Sequence, residues 1–323
     1  MNLVDVLRAR RRIAPYLRRT PLVASRWLSD VASATVSLKL ESLQLSNAFK
    51  ARGAFNAVIA RLERGRPPAR LVTASAGNHG RALAAAAEMF HVPVVVFTPV
   101  DAPQSKLAAI LRHGAELRAE GRDYEAAERL AKAFAAETGA EFISPYNDAD
   151  VIAGAATIWL EIAEDAAATD TVIVPIGGGG LIGGVAAAAK SIDSTIAVIG
   201  VEVEASCPFQ TSVRAGRLVT IVPGPTLADG LAGNPDPDTI TFSLIQSLVD
   251  RIVTVSETDL SAAIAGLVES EHLVAEGAGA AGVAALIGRR VDVKGGRVVI
   301  IVSGANIDAG LLASVLSGGP RSA

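Results

Sequence analysis

What the sequence lacks narrows its function first. Cys207 is the only cysteine in 323 residues, so no internal disulfide can form, which fits a reducing compartment. No His or Asp pattern surrounds it, and a small thiol without a chemical task is the plain reading. No strong excess of charge is present either. The net charge is −3, which argues against nucleic acid as the main partner. Neither an internal repeat nor a low-complexity linker interrupts the chain. The one long charge-free run, the 19 residues 171–189, contains Pro175 and six glycines and reads as strand, loop and helix, a poor membrane span. The cluster Arg8, Arg10, Arg11, Arg12, Arg18 and Arg19 lacks the serines of a transit peptide and has Asp5 among it, so a solvated helix face is expected there. No secretory signal opens the sequence, and a cytoplasmic protein is expected.

What is present is a globular composition, 50% hydrophobic and 20% charged, enough for one large or two medium domains with a real core. Strand and helix patterns alternate. Strands are predicted at 35–40, 71–74, 92–97, 116–118, 142–144, 171–176, 196–203, 251–255 and 297–302. Helices are predicted at 49–62, 78–90, 105–111, 124–137, 151–163, 181–190 and 258–270, with a last one ending near 316. The proline-rich piece 223–237 reads as a surface loop. This order predicts an α/β fold with mostly parallel sheets, whose ligands bind beyond the carboxyl ends of strands.

Four groups of residues stand at such positions. Gly177, Gly178, Gly179 and Gly180 lie between a buried strand and a helix that opens with Leu181, where backbone N–H groups and the helix dipole favour an anion. No Lys-Ser/Thr pair follows, which excludes a nucleotide P-loop, and no acidic residue follows at ribose spacing. A phosphate monoester fits; a loop whose glycines serve only tight packing is the competing reading. Ser75-Ala76-Gly77-Asn78-His79-Gly80 is a second polar turn at a helix start, suited to a carboxylate, or else an ordinary cap. Lys50 sits at a helix start, where a cation is electrostatically disfavoured, a weak sign of a task. Ser303, after the last strand, offers a hydroxyl to a ring nitrogen or caps the turn.

Taken in order, the motifs resemble the fold-type II family of pyridoxal-phosphate enzymes, in the branch of serine/threonine dehydratases and serine racemases. The resemblance runs through Arg19-Thr20-Pro21-Leu22, Lys39-Leu40-Glu41, Phe49-Lys50-Ala51-Arg52-Gly53-Ala54, the Ser75 turn and Ala102-Pro103-Gln104-Ser105-Lys106. It continues through Ile152-Ala153-Gly154, Thr157-Ile158, the tetraglycine, Gly200-Val201-Glu202, Ala228-Asp229-Gly230 and Ser303-Gly304-Ala305-Asn306. Each motif is weak alone; the ordered set is specific.

The resemblance implies a tryptophan synthase β-like fold of two open twisted α/β domains. Residues 1–48 and 148–323 would form a large cofactor-binding domain and 49–147 a small one. It implies pyridoxal 5'-phosphate carried by Lys50, which then serves as base at the substrate Cα. Gly177–Gly180 and Leu181 would hold the phosphate, Asn78 would meet the 3-oxygen, and Phe49 would pack on the ring. Ser303 would face the pyridine nitrogen, and Ser75, Ala76, Gly77 and His79 would frame the substrate carboxylate. A neutral hydroxyl at the ring nitrogen makes a milder electron sink, suited to β-elimination. The implied activity is an ammonia-lyase for a β-hydroxy-α-amino acid of the threonine or serine type. Its partner would be a small amino-acid substrate, with no nucleic acid or membrane, in a homodimer or other homo-oligomer.

This sequence also departs from the family. Ser46-Asn47-Ala48 replaces the usual Thr-Gly-Ser, and Ala155-Ala156 follows Gly154 where Gln-Gly is usual. These departures motivate a second reading, an eliminase of the hydroxyectoine-pathway or phenylserine type. Ala76 stands where racemases carry a second serine, so little racemisation is expected. Racemases also hold a divalent metal on a Glu and an Asp six residues later; here these are Glu202 and Pro208, so no metal is expected, unless Glu204 relocates the site. With few residues after Asn306, the regulatory domain of larger dehydratases is not expected. A non-catalytic amino-acid sensor on the same fold is the rival of another class, and the intact Lys50 argues against it.

Overall fold

The computed structural model describes residues 1–65 and 68–318. The chain begins with α1 (Leu3–Ile13), closed by a reciprocal capping box between Asn2 and Asp5. Then come β1 (Leu22–Ala24), α2 (Arg26–Ala32), β2 (Thr35–Leu40), α3 (Lys50–Glu63), β3 (Leu71–Ala74), α4 (Asn78–Met89) and β4 (Val94–Pro99). The chain continues through α5 (Gln104–Leu111), β5 (Glu116–Gly121), α6 (Tyr124–Thr138), β6 (Glu141–Phe142), α7 (Ala149–Asp165), β7 (Thr171–Pro175) and α8 (Gly180–Ile192). The remainder is β8 (Ala197–Val203), α9 (Pro208–Ala215), α10 (Thr241–Leu248), β9 (Arg251–Val255), α11 (Glu257–Glu271), α12 (Gly277–Ile287), β10 (Arg297–Val302) and α13 (Ala309–Leu316).

Two sheets result. The larger has the order β1-β2-β10-β7-β8-β9 and the smaller β5-β4-β3-β6. Every pairing is parallel except that of the edge strand β1 with β2. Alternate residues of a strand serve opposite cores. Val298, Ile300 and Val302 of β10 face one apolar cluster with α11 and α12, while Val299 and Ile301 face another with α7 and α8. The small sheet repeats this, with Val94 and Val96 of β4 on one face and Val95 and Phe97 on the other. A sheet covered on both faces explains why these strands read as unbroken apolar runs.

Helices α3 and α7 link the two halves, and small residues let them touch. A Cβ on Gly154 would run into the Arg52 carbonyl, and one on Gly53 would lie 2.7 Å from the Val151 carbonyl. Beside this crossing lies a buried ion network. The Arg52 guanidinium donates to Glu41 (Nε to Oε2, 2.8 Å) and to Glu161 (Nη1 to Oε1, 2.7 Å). Lys39 Nζ donates to Glu161 Oε2 at 2.6 Å and to the Thr20 carbonyl at 2.7 Å. Four motifs separated in sequence meet here behind α3.

Two expectations need correction. The arginine cluster is not simply a solvated face: Arg8 and Arg11 are exposed, but Arg10 and Arg19 pair with Glu164, Arg19 also with Asp165, and Arg12 with Glu63. These pairs dock α1 and the following loop onto α7 and α3. The 223–237 segment is not a plain surface loop either. Leu227, Ala228, Leu231 and Asp236 are buried, because this stretch covers the end of the large sheet.

Candidate active site

Parallel pairing puts the carboxyl ends of all the central strands on one edge of each sheet, and the chemistry-bearing residues collect there. Ser303 follows β10 and Gly177 follows β7, on neighbouring strands. The Ser75 turn follows β3 of the small sheet. Lys50 does not follow a strand directly: two 3-10 turns, Glu41–Leu43 and Leu45–Asn47, separate it from β2. Ser46 and Asn47 have φ of 65° and 57°, an unusual consecutive pair for residues other than glycine. The tail of β10 holds them, since the Ala305 N–H donates to the Asn47 carbonyl and Asn306 Nδ2 to the Ser46 carbonyl. The same tail fixes the start of α3 through the Phe49 N–H, which donates to the Ser303 carbonyl at 2.9 Å.

Lys50 is thus the first residue of α3, partly buried, with Nζ donating to the Pro145 carbonyl at 2.8 Å and lying 5.0 Å from the centre of the Phe49 ring. Burial lowers its pKa to about 8, opposed by the nearby Glu276 carboxylate. The amine is therefore far closer to its neutral, nucleophilic form at physiological pH than an ordinary lysine.

In the glycine loop, Gly179 has φ of 85° and caps α8 from outside. Among the described residues no hydrogen bond occupies the N–H groups of Gly177, Gly178, Gly179, Gly180 or Leu181, which leaves an array of donors at a helix N-terminus. Packing demands these glycines as well. A Cβ on Gly178 would enter the Tyr146 ring, and one on Gly177 would lie 2.8 Å from the Gly230 carbonyl. Both readings of the run hold together, and a bulky residue at Gly178 would disturb Tyr146 as well as any anion.

The Ser75 turn is arranged differently from a simple cap. Ser75 Oγ accepts from the Gly77 N–H at 3.2 Å, and Gly77, the residue before α4, makes no side-chain cap. Ala76, Gly77 and Asn78 are partly exposed, and the N–H groups of Asn78 and His79 have no partner among the described residues. The His79 ring turns inward. It is 2% exposed, its Nε2 lies 3.3 Å from the Ile143 carbonyl, and burial, reinforced by Lys50, pulls its pKa down to about 3. Only the His79 backbone is available to a ligand. Ser303 is 4% exposed, its hydroxyl 3.4 Å from the Ala278 carbonyl.

The sequence reading overlooked Glu276, Tyr146 and Arg81. Glu276 immediately precedes α12, 8% exposed, and burial pushes its pKa up to about 7. Its Oε1 accepts from Asn78 Nδ2 at 2.6 Å, and Asn78 Oδ1 accepts from Asn306 Nδ2 at 2.6 Å. One signal was available, a lone acid heading a charge-free helix of alanines and glycines. At the racemase metal position, Glu202 is fully buried and accepts from the N–H groups of Phe209 (2.9 Å) and Gln210 (2.7 Å). Glu204 points instead to solvent and Arg290, so the two carboxylates do not share a face.

An aldehyde with a phosphate tail fits this donor set: an amine of lowered pKa at Lys50, and unpaired N–H groups at the glycine loop that a phosphate would satisfy. Comparison with known proteins agrees. A family profile described as pyridoxal-phosphate dependent enzyme matches residues 13–304. The chain is 41% identical to an L-threonine ammonia-lyase of Thermotoga maritima, over 99% of this chain and 79% of that one. Maize serine racemase superposes with a TM-score of 0.91 at 33% identity, covering 98% of this chain and 97% of that one. A T.th. threonine deaminase superposes with a TM-score of 0.88 at 37% identity, covering 95% of this chain and 99% of that one. The chain belongs to the pyridoxal-phosphate dependent enzyme family and uses that cofactor.

Proposed function

We propose that the protein is an ammonia-lyase that converts a β-hydroxy-α-amino acid of the L-threonine or L-serine type to a 2-oxo acid and ammonium. The observation that carries it is Lys50 Nζ held on the Pro145 carbonyl, next to the Tyr146 that packs on Gly178 of the donor-rich glycine loop, on a chain this similar to an L-threonine ammonia-lyase. The bound cofactor supplies the electron sink for the carbanion at Cα.

The chain's own residues supply the rest. Gly177–Gly180 and Leu181 would hold the phosphate through their N–H groups, and one Asn78 N–H would serve the 3-oxygen. Phe49 would flank the ring, and the Ser303 hydroxyl would serve the pyridine nitrogen. The turn of Ser75, Ala76 and Gly77, with the His79 N–H, takes the substrate carboxylate. The Lys50 amine would remove the Cα proton. The proton and the β-hydroxyl leave as water, and water hydrolyses the enamine product to 2-oxo acid and ammonium. In this reading the segment 49–147 forms a small domain and 1–48 with 148–323 a large one, with the substrate between them in a cytoplasmic homo-oligomer.

Nothing in the site favours the hydroxyectoine-pathway or phenylserine reading. Ala155 and Ala156 are buried core residues of α7, packed with α8. A 2-oxo-acid assay over a panel of β-hydroxy amino acids, with D-serine formation read in parallel, tests the proposal. Turnover of L-threonine or L-serine with little racemisation is expected, since the Ala76 methyl offers no acid on the opposite face. Lys50→Ala is expected to lose both the yellow colour and the turnover. A colourless wild-type protein, or a variant that keeps its activity, would overturn the assignment.

A further inference from the structure

Glu276 is a buried carboxylate with no lysine or arginine at ion-pair distance among the described residues. Such a group is costly, and the site's own hydrogen bonds must justify it. It does not cap α12, which it precedes. The chain folds around it: the Glu276 N–H donates to the Gly304 carbonyl at 3.1 Å, and a Cβ on Gly304 would collide with Glu276 Oε1. The carboxylate is thereby aimed at Asn78.

A hydrogen-bonded chain starts there and ends on a cation. Arg81 Nη1 donates to Asn306 Oδ1 at 2.7 Å, Asn306 Nδ2 donates to Asn78 Oδ1 at 2.6 Å, and Asn78 Nδ2 donates to Glu276 Oε1 at 2.6 Å. Every donor points the same way, from the positive end to the negative one, so each bond polarises the next. Asn306 is saturated, because its second N–H donates to the Ser46 carbonyl at 2.9 Å. Turning over either amide would set donor against donor and acceptor against acceptor. Asn78 has one N–H left, with no partner among the described residues.

We propose that Glu276 is a positioning residue for the reaction: with Arg81 at the far end, it fixes the Asn78 amide so that one N–H remains for the cofactor's 3-oxygen. The inference rests on the place given to Asn78 in the proposed function. Lys50, Lys106 and Asp229 are the other charged groups in the field of Glu276.

The test compares Glu276→Leu, Glu276→Gln, Arg81→Met and Asn78→Ala with wild type. The readouts are pyridoxal-phosphate affinity of the cofactor-free protein, the pH profile of the cofactor's visible band, kcat and KM, and the melting temperature. Glu276→Leu removes the acceptor and is expected to weaken cofactor binding about tenfold and to shift the band's pH profile. Glu276→Gln keeps an acceptor and is expected to recover binding to within about threefold of wild type. Wild-type affinity and pH profile in a folded Glu276→Leu protein would overturn the inference, and so would a Glu276→Gln protein as impaired as Glu276→Leu. Should Glu276→Leu fail to fold, Arg81→Met reads the same chain from its partly exposed end: the band's pH profile is expected to shift, and an unshifted profile overturns the inference. Asn78→Ala separates the two levels. If it binds cofactor normally, the place of Asn78 in the proposed function falls; if it is impaired while Glu276→Leu is not, only the present inference falls.

Discussion

Lys50 shows how one residue is tuned by its surroundings. Desolvation lowers its pKa from the ordinary 10.5 to about 8, and Glu276 limits the fall. Between those values the unfolded chain binds the proton that the folded chain has given up, so folding gains stability as pH rises through that window. Urea unfolding of the cofactor-free protein at pH 7.5 and pH 10 is therefore expected to differ less for Lys50→Met than for wild type, the wild type gaining more at high pH. Equal pH dependence in both would show that burial does not tune this amine. The sequence pointed to Lys50 by its place at a helix start and by the motif around it. It did not point to Glu276, because a carboxylate's burial depends on Gly304 and Asn78, far away in the chain.

At the scale of elements, the central strands were legible because both of their faces are apolar, and helices α6 and α11 because one face is polar. What was missed has physical reasons. β1 has three residues, none of them buried, so it shows no pattern. α12 is Gly-Ala-Gly-Ala-Ala-Gly-Val-Ala-Ala-Leu-Ile, almost wholly buried, with no polar face to mark a period. α9 begins with Pro208, read from sequence only as a lost metal ligand; in the fold it is the first residue of a helix whose N–H groups take both oxygens of Glu202. A helix N-terminus thus supplies the positive field there. Dialysis against a chelator is expected to leave activity and melting temperature unchanged; a loss restored by magnesium or calcium would count against this account of α9. The Arg52 network binds elements more strongly. Arg52 and Lys39 balance Glu41 and Glu161, and removing one partner strands a buried charge. Arg52→Ala is expected to cost about 3–5 kcal/mol in urea unfolding, and a loss below about 1 kcal/mol, the scale of surface pairs, would show that the network is not desolvated.

At the scale of the whole molecule, the chain carries two sheets, and the contacts that join the elements around them differ in kind. Helices α3 and α7 touch through glycines and cannot separate without losing packing. Elsewhere, segments far apart in the chain are joined by polar contacts. Lys106 on α5 pairs with Asp229, in the 3-10 turn Asp229–Leu231 beneath α12. The sequence offered both residues inside family-like motifs, but nothing in their spacing of more than a hundred residues said that they meet. Lys132 on α6 likewise reaches Asp236 at 3.2 Å. Polar contacts of this kind can form and break as a site closes on a small substrate and reopens. The Lys106–Asp229 pair is half-exposed, so its contribution to folding is about 0–1 kcal/mol. Its effect is expected instead on the closed form with substrate bound. Lys106→Ala should leave the melting temperature within about 2 °C of wild type. It should raise KM about threefold to tenfold with kcat within about twofold, since weaker closure removes binding shared by ground state and transition state. Added salt should raise the wild-type KM toward that of the variant, because a half-exposed pair is screened. An unchanged KM in Lys106→Ala at low salt would show that the Lys106–Asp229 pair plays no part in substrate-dependent closure.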